Sequence, residues 1–184
     1  MDVDGIAFDA FGTLFDLGEL EDAFRRTVVP WTWHVTASRR FRPLPEIVEA
    51  AGIDPERVKS LPAYGDVAGG LDALRGTPLA VLSNGTLEGI TALVHDAGLA
   101  DRFDHLLAAD QVEAYKPAPA IYDLAADAFG CGPERVLLVS GNEWDVAGGA
   151  QAGLRTAWLA RGREPSWVLG VEPDVVIQAI ADLA

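Results

Sequence analysis

Ile6-Ala7-Phe8-Asp9-Ala10-Phe11-Gly12-Thr13-Leu14-Phe15-Asp16 reads as a short apolar strand that runs into a carboxylate and a glycine turn. An unbroken apolar run of this length fits a strand covered on both faces, as in a parallel sheet. In open α/β folds ligands bind just beyond the carboxyl ends of the strands. Asp9 stands at such an end. A carboxylate there, half out of water and near a cation, can act as a nucleophile. Two residues on, Phe11 puts an apolar ring where a second acid would suit phosphoryl chemistry.

Outward from this stretch, short apolar runs alternate with amphipathic ones. Strands are expected at Gly5–Asp9, Leu79–Leu82, His105–Ala108, Val136–Val139, Thr156–Leu159 and Val175–Val176. Helices are expected at Val67–Arg75, Leu87–Ala97, Ala118–Phe129, Asp145–Ala152 and Val176–Leu183. Strand, helix and strand in series indicate an α/β fold with a parallel sheet flanked by helices. Gly98, Gly130 and Gly153 each close a helical pattern, as a C-terminal cap would.

Residues 17–64 break the rhythm. They hold Pro30, Pro43, Pro45, Pro55 and Pro62 but no convincing strand. Helices are expected at Glu19–Val29, Trp31–Arg40, Glu46–Ala51 and Pro55–Ser60. The expected organisation is a core of residues 1–16 and 65–184, with 17–64 as a small helical insert after the first strand.

Composition narrows the function. The chain has 184 residues, 49% apolar and 23% charged, which is enough for one well-buried core. A formal net charge of -14 argues against nucleic acid and anionic membranes as partners, and any anionic substrate needs a local cationic pocket. Cys131 is the only cysteine, so no internal disulfide can form and a reducing cytoplasm fits. No apolar run approaches the ~20 residues that span a bilayer, and the acidic N-terminus lacks the basic start of a signal peptide. His34, His95 and His105 lack the spacing of metal ligands.

Four strand ends carry polar residues of distinct types: Asp9 with Thr13, Ser83-Asn84-Gly85-Thr86, Lys116-Pro117, and Ser140-Gly141-Asn142-Glu143-Trp144-Asp145. In a doubly wound sheet these loops share one edge, where all four can converge. Each alone also has a plain structural reading. Ser-Asn-Gly is a common turn and helix cap, Lys-Pro a common helix start, and Asp145 fits a helix's first turn.

In this order they resemble the haloacid dehalogenase superfamily, and within it the L-2-haloacid dehalogenases. The likeness runs from Gly5 to Asp16 and from Leu79 to about Arg161. Phosphatase branches use Asp-x-Asp first; here it is Asp9-x-Phe11, as in the dehalogenase branch, whose fourth motif Ser-x-Asn-x-x-Asp matches Ser140, Asn142 and Asp145. The resemblance implies a HAD-like Rossmannoid core with a shortened helical cap. It implies hydrolytic dehalogenation of short 2-haloacids through an aspartyl ester on Asp9, with no metal and no cofactor. By the same resemblance Thr13 orients Asp9 and Lys116 keeps it ionised. Asp145 positions or activates water, with Ser140, Asn142 and Lys116 holding the network. Ser83, with backbone N–H groups near Ala10 and Phe11, would bind the substrate carboxylate. Asn84 would meet the halide. Trp31-Thr32-Trp33 matches a cap segment whose spacing puts Arg25 at the family's arginine. Phe11 and Trp144 would form apolar walls, with Val29 from the cap, and Tyr122 would face the site. The resemblance also allows a homodimer.

Two rival readings differ in class. A phosphohydrolase with its acid moved elsewhere would need an acid that position 11 lacks. A weakly active relative could use its trimmed cap as a binding surface, against which the full set of polar residues argues.

Overall fold

The structure is a computed structural model and describes residues 2–166 and 170–184; none of the candidate site residues lies outside them. The chain opens with β1 (Gly5–Phe8), followed by a helical stretch with α1 (Glu21–Ala23), α2 (Val29–Ala37), α3 (Leu44–Ala50) and α4 (Pro55–Lys59). Then come α5 (Val67–Ala73), β2 (Leu79–Ser83), α6 (Leu87–Asp96), β3 (His105–Ala108) and α7 (Pro119–Phe129). The chain ends with β4 (Val136–Ser140), α8 (Glu143–Gln151), β5 (Arg155–Leu159) and β6 (Val175–Ile177).

All neighbouring strands are parallel, in the order β3-β2-β1-β4-β5-β6. The chain lays down β1, β2 and β3 in one direction, then returns to place β4 on the other side of β1. Such a reversal leaves a crevice at the carboxyl ends of the strands. Phe8 pairs with Val81 on one side and Val139 on the other, and the Asp9 N–H donates to Val139 O at 3.0 Å. Asp9 is therefore level with Ser140 as the chain leaves the sheet. Every residue of β1, β2 and β4 is buried, which is why their sequences are continuously apolar rather than alternating. Burying a side chain such as Phe8 or Leu82 contributes about 1.5–3 kcal/mol, so the position of Asp9 is anchored by the best-packed part of the molecule.

Residues 17–64 leave and rejoin the sheet at one place. The Asp16 N–H donates to Pro62 O at 2.8 Å, and the Tyr64 N–H donates to Leu14 O at 3.0 Å. Phe24, Val28, Leu44, Ile47, Val48 and Val58 are buried in the same apolar cluster as the strands. Pro30 separates two helices in the sequence expectation, but the structure joins them. Phe24–Val28 form a π-turn, with the Val29 N–H donating to Phe24 O, and helix continues through Pro30 to Ala37. A wider turn accommodates a ring that has no N–H to give and would otherwise crowd the preceding turn. The second helix is also shorter than expected, because Arg39 takes a left-handed φ of 54°.

The expected helix at Val176–Leu183 is corrected. Val175–Ile177 pairs with β5 as β6, and only a short 3₁₀ turn, Ile180–Leu183, follows. Three successive β-branched residues favour the strand. The Asp182 carboxylate accepts the N–H groups of Gln178 and Ala179, which ends the strand. Among the described residues no helix is long and apolar enough to cross a membrane.

Candidate active site

Asp9 follows the central strand and is 4% exposed. Its two oxygens have different surroundings. Oδ1 accepts from Lys116 Nζ at 3.0 Å. Oδ2 accepts from Thr13 Oγ1 at 2.7 Å and Asn142 Nδ2 at 2.9 Å, with Ser140 Oγ at 3.5 Å. Thr13 is itself fixed, because its hydroxyl oxygen accepts the Gly141 N–H at 2.8 Å.

Lys116 and Asp145 are fully buried. Lys116 Nζ reaches Asp145 Oδ2 at 2.8 Å as well as Asp9, so one ammonium serves two carboxylates. Burial alone would push this lysine down. The charges of Asp145 and then Asp9 outweigh that and raise it above its ordinary value, which keeps it an ammonium. Burial pushes the Asp145 carboxyl up, and Lys116 opposes the shift. Asp145 Oδ1 accepts from the Tyr122 hydroxyl at 2.8 Å, and burial followed by the neighbouring Asp145 charge pushes that phenol up. The backbone around Lys116 is held too: its N–H donates to Asn84 Oδ1 at 2.8 Å.

Asn142 joins two parts of the site. Its Nδ2 donates to Asp9 Oδ2 and, at 3.0 Å, to Phe11 O. One neutral amide thus satisfies a carboxylate oxygen and a carbonyl oxygen that face each other. Among the described residues no group of three His, Cys, Asp or Glu side chains is placed to hold a metal ion.

A cavity of about 620 Å³ opens over Asp9, a size that suits a small molecule. Asp9, Asn84 and Asn142 give it polar points and Glu21, Arg25, Glu143, Arg163 and Glu164 charged ones, while Phe11, Phe24, Val28, Val29, Leu44, Trp33 and Trp144 give it apolar walls. Trp33 from α2 meets Trp144 from α8 edge to face at 5.9 Å, and Phe24 packs on Phe11 at 5.8 Å. Arg25, exposed on the π-turn, also lines it.

The residues singled out in the sequence do gather here, in two layers. Asp9, Phe11, Arg25, Asn84, Asn142 and Trp144 line the cavity. Thr13, Lys116, Ser140, Asp145 and Tyr122 form a buried layer beside Asp9. Tyr122 touches Asp145, not the cavity. Ser83 is buried, with its Oγ accepting the Gly85 N–H at 2.9 Å, and Ala10 is buried in the turn whose carbonyl accepts from Thr13, Leu14 and Phe15. Glu143 lines the cavity too, and its carboxylate accepts from the N–H and hydroxyl of Ser166.

Sequence reasoning passed over Arg163, Trp158 and Tyr64, all of which line the same cavity. Trp158 lies inside β5, and the first polar residue beyond that strand is Arg161, which pairs with Asp66, so reading the strand ends alone does not find Arg163, two residues further on.

Known proteins resemble this chain in sequence and in fold. A model of the haloacid dehalogenase-like hydrolases matches residues 44–153, more than half of the chain. A (S)-2-haloacid dehalogenase of Pseudomonas sp. strain YL is 34% identical, over 94% of this chain and 89% of its own length. Haloacetate dehalogenase H-2 of Moraxella sp. strain B is 31% identical, over 95% of this chain and 93% of its own. The structure of the L-2-haloacid dehalogenase from Xanthobacter autotrophicus with chloropropionic acid covalently bound superposes with a TM-score of 0.85 at 26% identity. That match covers 98% of this chain and 96% of that one. Sequence, sheet order and superposition agree: this chain belongs to the haloacid dehalogenase-like hydrolases.

Proposed function

We propose that this chain displaces halide from short 2-haloacids through an ester on Asp9, and releases a 2-hydroxyacid. The observation that carries the reading is Asp9 itself. It is a buried carboxylate beside an ammonium, open to a cavity with apolar walls, with Phe11 where an acid for phosphoryl chemistry would stand. The relatives named for (S)-2-haloacids and haloacetate, and the covalent chloropropionic acid in the Xanthobacter enzyme, support the same substrate class.

In the first step a carboxylate oxygen of Asp9 forms a bond to C2 as the carbon–halogen bond breaks and halide leaves with the electron pair. Oδ1 has a single hydrogen-bond donor against the two close ones on Oδ2, so its lone pairs are the more available. Ser83, with the backbone N–H groups of Ala10 and Phe11, holds the substrate carboxylate. Asn84 and Arg25 receive the halide, and Phe11 and Trp144 keep water away. A dry cavity raises the reactivity of a charged nucleophile, and near-attack positioning contributes several kcal/mol, up to ~7–11 in model systems.

Esterification removes the charge of Asp9 and leaves Lys116 paired with Asp145. Water then adds to the carbonyl carbon of the ester and passes a proton to Asp145, whose basicity burial increases. The departing hydroxyacid takes that proton back, and Asp9, now with one oxygen from water, loses the second proton of the water to solvent and regains its carboxylate. C2 is inverted once, so an L-2-haloacid gives a D-2-hydroxyacid. The single thiol, Cys131, suits a reducing cytoplasm.

The test is halide release from 2-chloropropionate and related acids, with and without chelator. Release by the wild type and none by Asp9→Asn is expected. In a single turnover in ¹⁸O-water the product should carry unlabelled oxygen and Asp9 should gain the label. Label in the first product, or Mg²⁺-dependent hydrolysis of aryl phosphates without halide release, overturns the reading.

A further inference from the structure

The carbonyl of Gly141 is held by two donors from the β5 end. Arg163 Nη2 donates to it at 2.8 Å and Trp158 Nε1 at 3.3 Å. The same guanidinium donates to Leu159 O at 2.9 Å and, through Nε, to Ala160 O at 3.0 Å, and it lies 5.6 Å over the Trp158 ring. One arginine thus ties the exit of β5 to the loop after β4. Gly141 can sit there because it has no side chain: a Cβ would lie 2.4 Å from Gly12 O.

The far side of that peptide faces Asp9. The Gly141 carbonyl and the Asn142 N–H belong to one peptide unit, and this N–H donates to Ser140 Oγ at 3.1 Å. Ser140 Oγ points at Asp9 Oδ2, while the Asn142 side chain donates to that same oxygen. The Gly141 N–H holds Thr13, the other close donor to Oδ2. A cation on the carbonyl fixes the peptide's orientation and polarises its N–H toward Ser140.

We propose that Arg163 is a positioning residue: it locks the Gly141–Asn142 peptide and thereby aims the three donors that hold Asp9 Oδ2. The inference rests on Asp9 being the nucleophile. It assigns Arg163 a role without contact with the reacting atoms.

Arg163→Ala should lower kcat about tenfold with little change in KM, in line with the loss of a charge-assisted hydrogen bond. Millimolar guanidinium should restore part of the rate to Arg163→Ala and leave the wild type unchanged. Arg163→Lys should recover less, because an ammonium lacks the fork that reaches three carbonyls. Trp158→Phe removes the second donor to the same carbonyl, so the double variant should be non-additive. Amide exchange at Asn142 in the resting protein should quicken in Arg163→Ala, whether or not the enzyme turns over. Raised KM with unchanged kcat would make Arg163 a substrate contact and overturn the proposal. So would unchanged Asn142 exchange. Absence of halide release by the wild type would instead count against the dehalogenase reading, and the exchange result would still decide the role of Arg163.

Discussion

Lys116 Nζ is closer to Asp145, at 2.8 Å, than to Asp9, at 3.0 Å. The lysine is thus anchored from behind and presented to the nucleophile. Lys116→Met would leave two buried carboxylates without a counter-charge, and removal of one partner from such a pair costs about 3–5 kcal/mol. We expect a loss of that size in urea unfolding near neutrality, and a smaller one in acid, where protonation of Asp145, whose carboxyl burial pushes up, removes part of the unpaired charge. The alkaline side follows from the raised value of Lys116. Its stabilisation is complete below its ordinary 10.5 and is lost as pH rises through the higher folded value. The wild type should show this decline and Lys116→Met should not. Halide release by Lys116→Ala should fall at least ~10²-fold, the scale of losing one charge-stabilising group.

Asn142 supplies N–H donors to Asp9 Oδ2 and Phe11 O together. Asn142→Asp keeps the shape but turns a donor into an acceptor, and sets a negative charge beside the nucleophile. Halide release should fall ~10²-fold or more. Asn142→Ala should fall less, since it adds no repulsion. The order of the two variants separates charge from lost contact. A chelator should leave the wild type unaffected.

Most of this site was legible because the parallel sheet reports itself. β1, β2 and β4 are buried on both faces, so their apolar runs stand out, and the first polar residue that closes each run marks the crevice: Asp9 just after β1, Ser83 at the end of β2 and Ser140 at the end of β4. Lys116 was legible by its place in that order, and only the fold shows that its amine bridges Asp9 and Asp145. What was not legible depends on contacts across the chain. The helix through Pro30 needs the π-turn at Phe24–Val28, which no propensity announces. The end of the chain has apolar residues that fit a helix, but Val175–Ile177 finds an open edge at β5. Arg163 resembles any exposed arginine until the carbonyls of Gly141, Leu159 and Ala160 are seen around it.

Gly148 lets α8 approach α7 near the buried carboxylate. A Cβ there would lie 2.3 Å from Tyr122 Oη and 2.6 Å from Pro117 Cβ. Gly148→Ala therefore displaces the phenol and breaks its hydrogen bond to Asp145. We expect a loss of about 1–3 kcal/mol in urea unfolding, from overpacking and an unsatisfied buried group. Tyr122→Phe removes the hydroxyl that the new methyl would strike, so the double variant should lose less than the two single losses combined.

Arg25 tests how the leaving group is received. It projects from the π-turn beside the cavity, exposed and without an ion-pair partner among the described residues, while its neighbour Arg26 is paired with Asp22. A cation that meets departing halide matters most where charge is most concentrated on the leaving atom. Arg25→Ala should therefore lower kcat/KM about 10²-fold for 2-chloropropionate and less for the bromo acid, whose larger ion spreads its charge. Arg25→Lys should recover part of the loss, because a point charge suffices for a spherical ion. Equal rates for wild type and Arg25→Ala on both acids would return Arg25 to a solvated helix face and leave Asn84 to receive the halide.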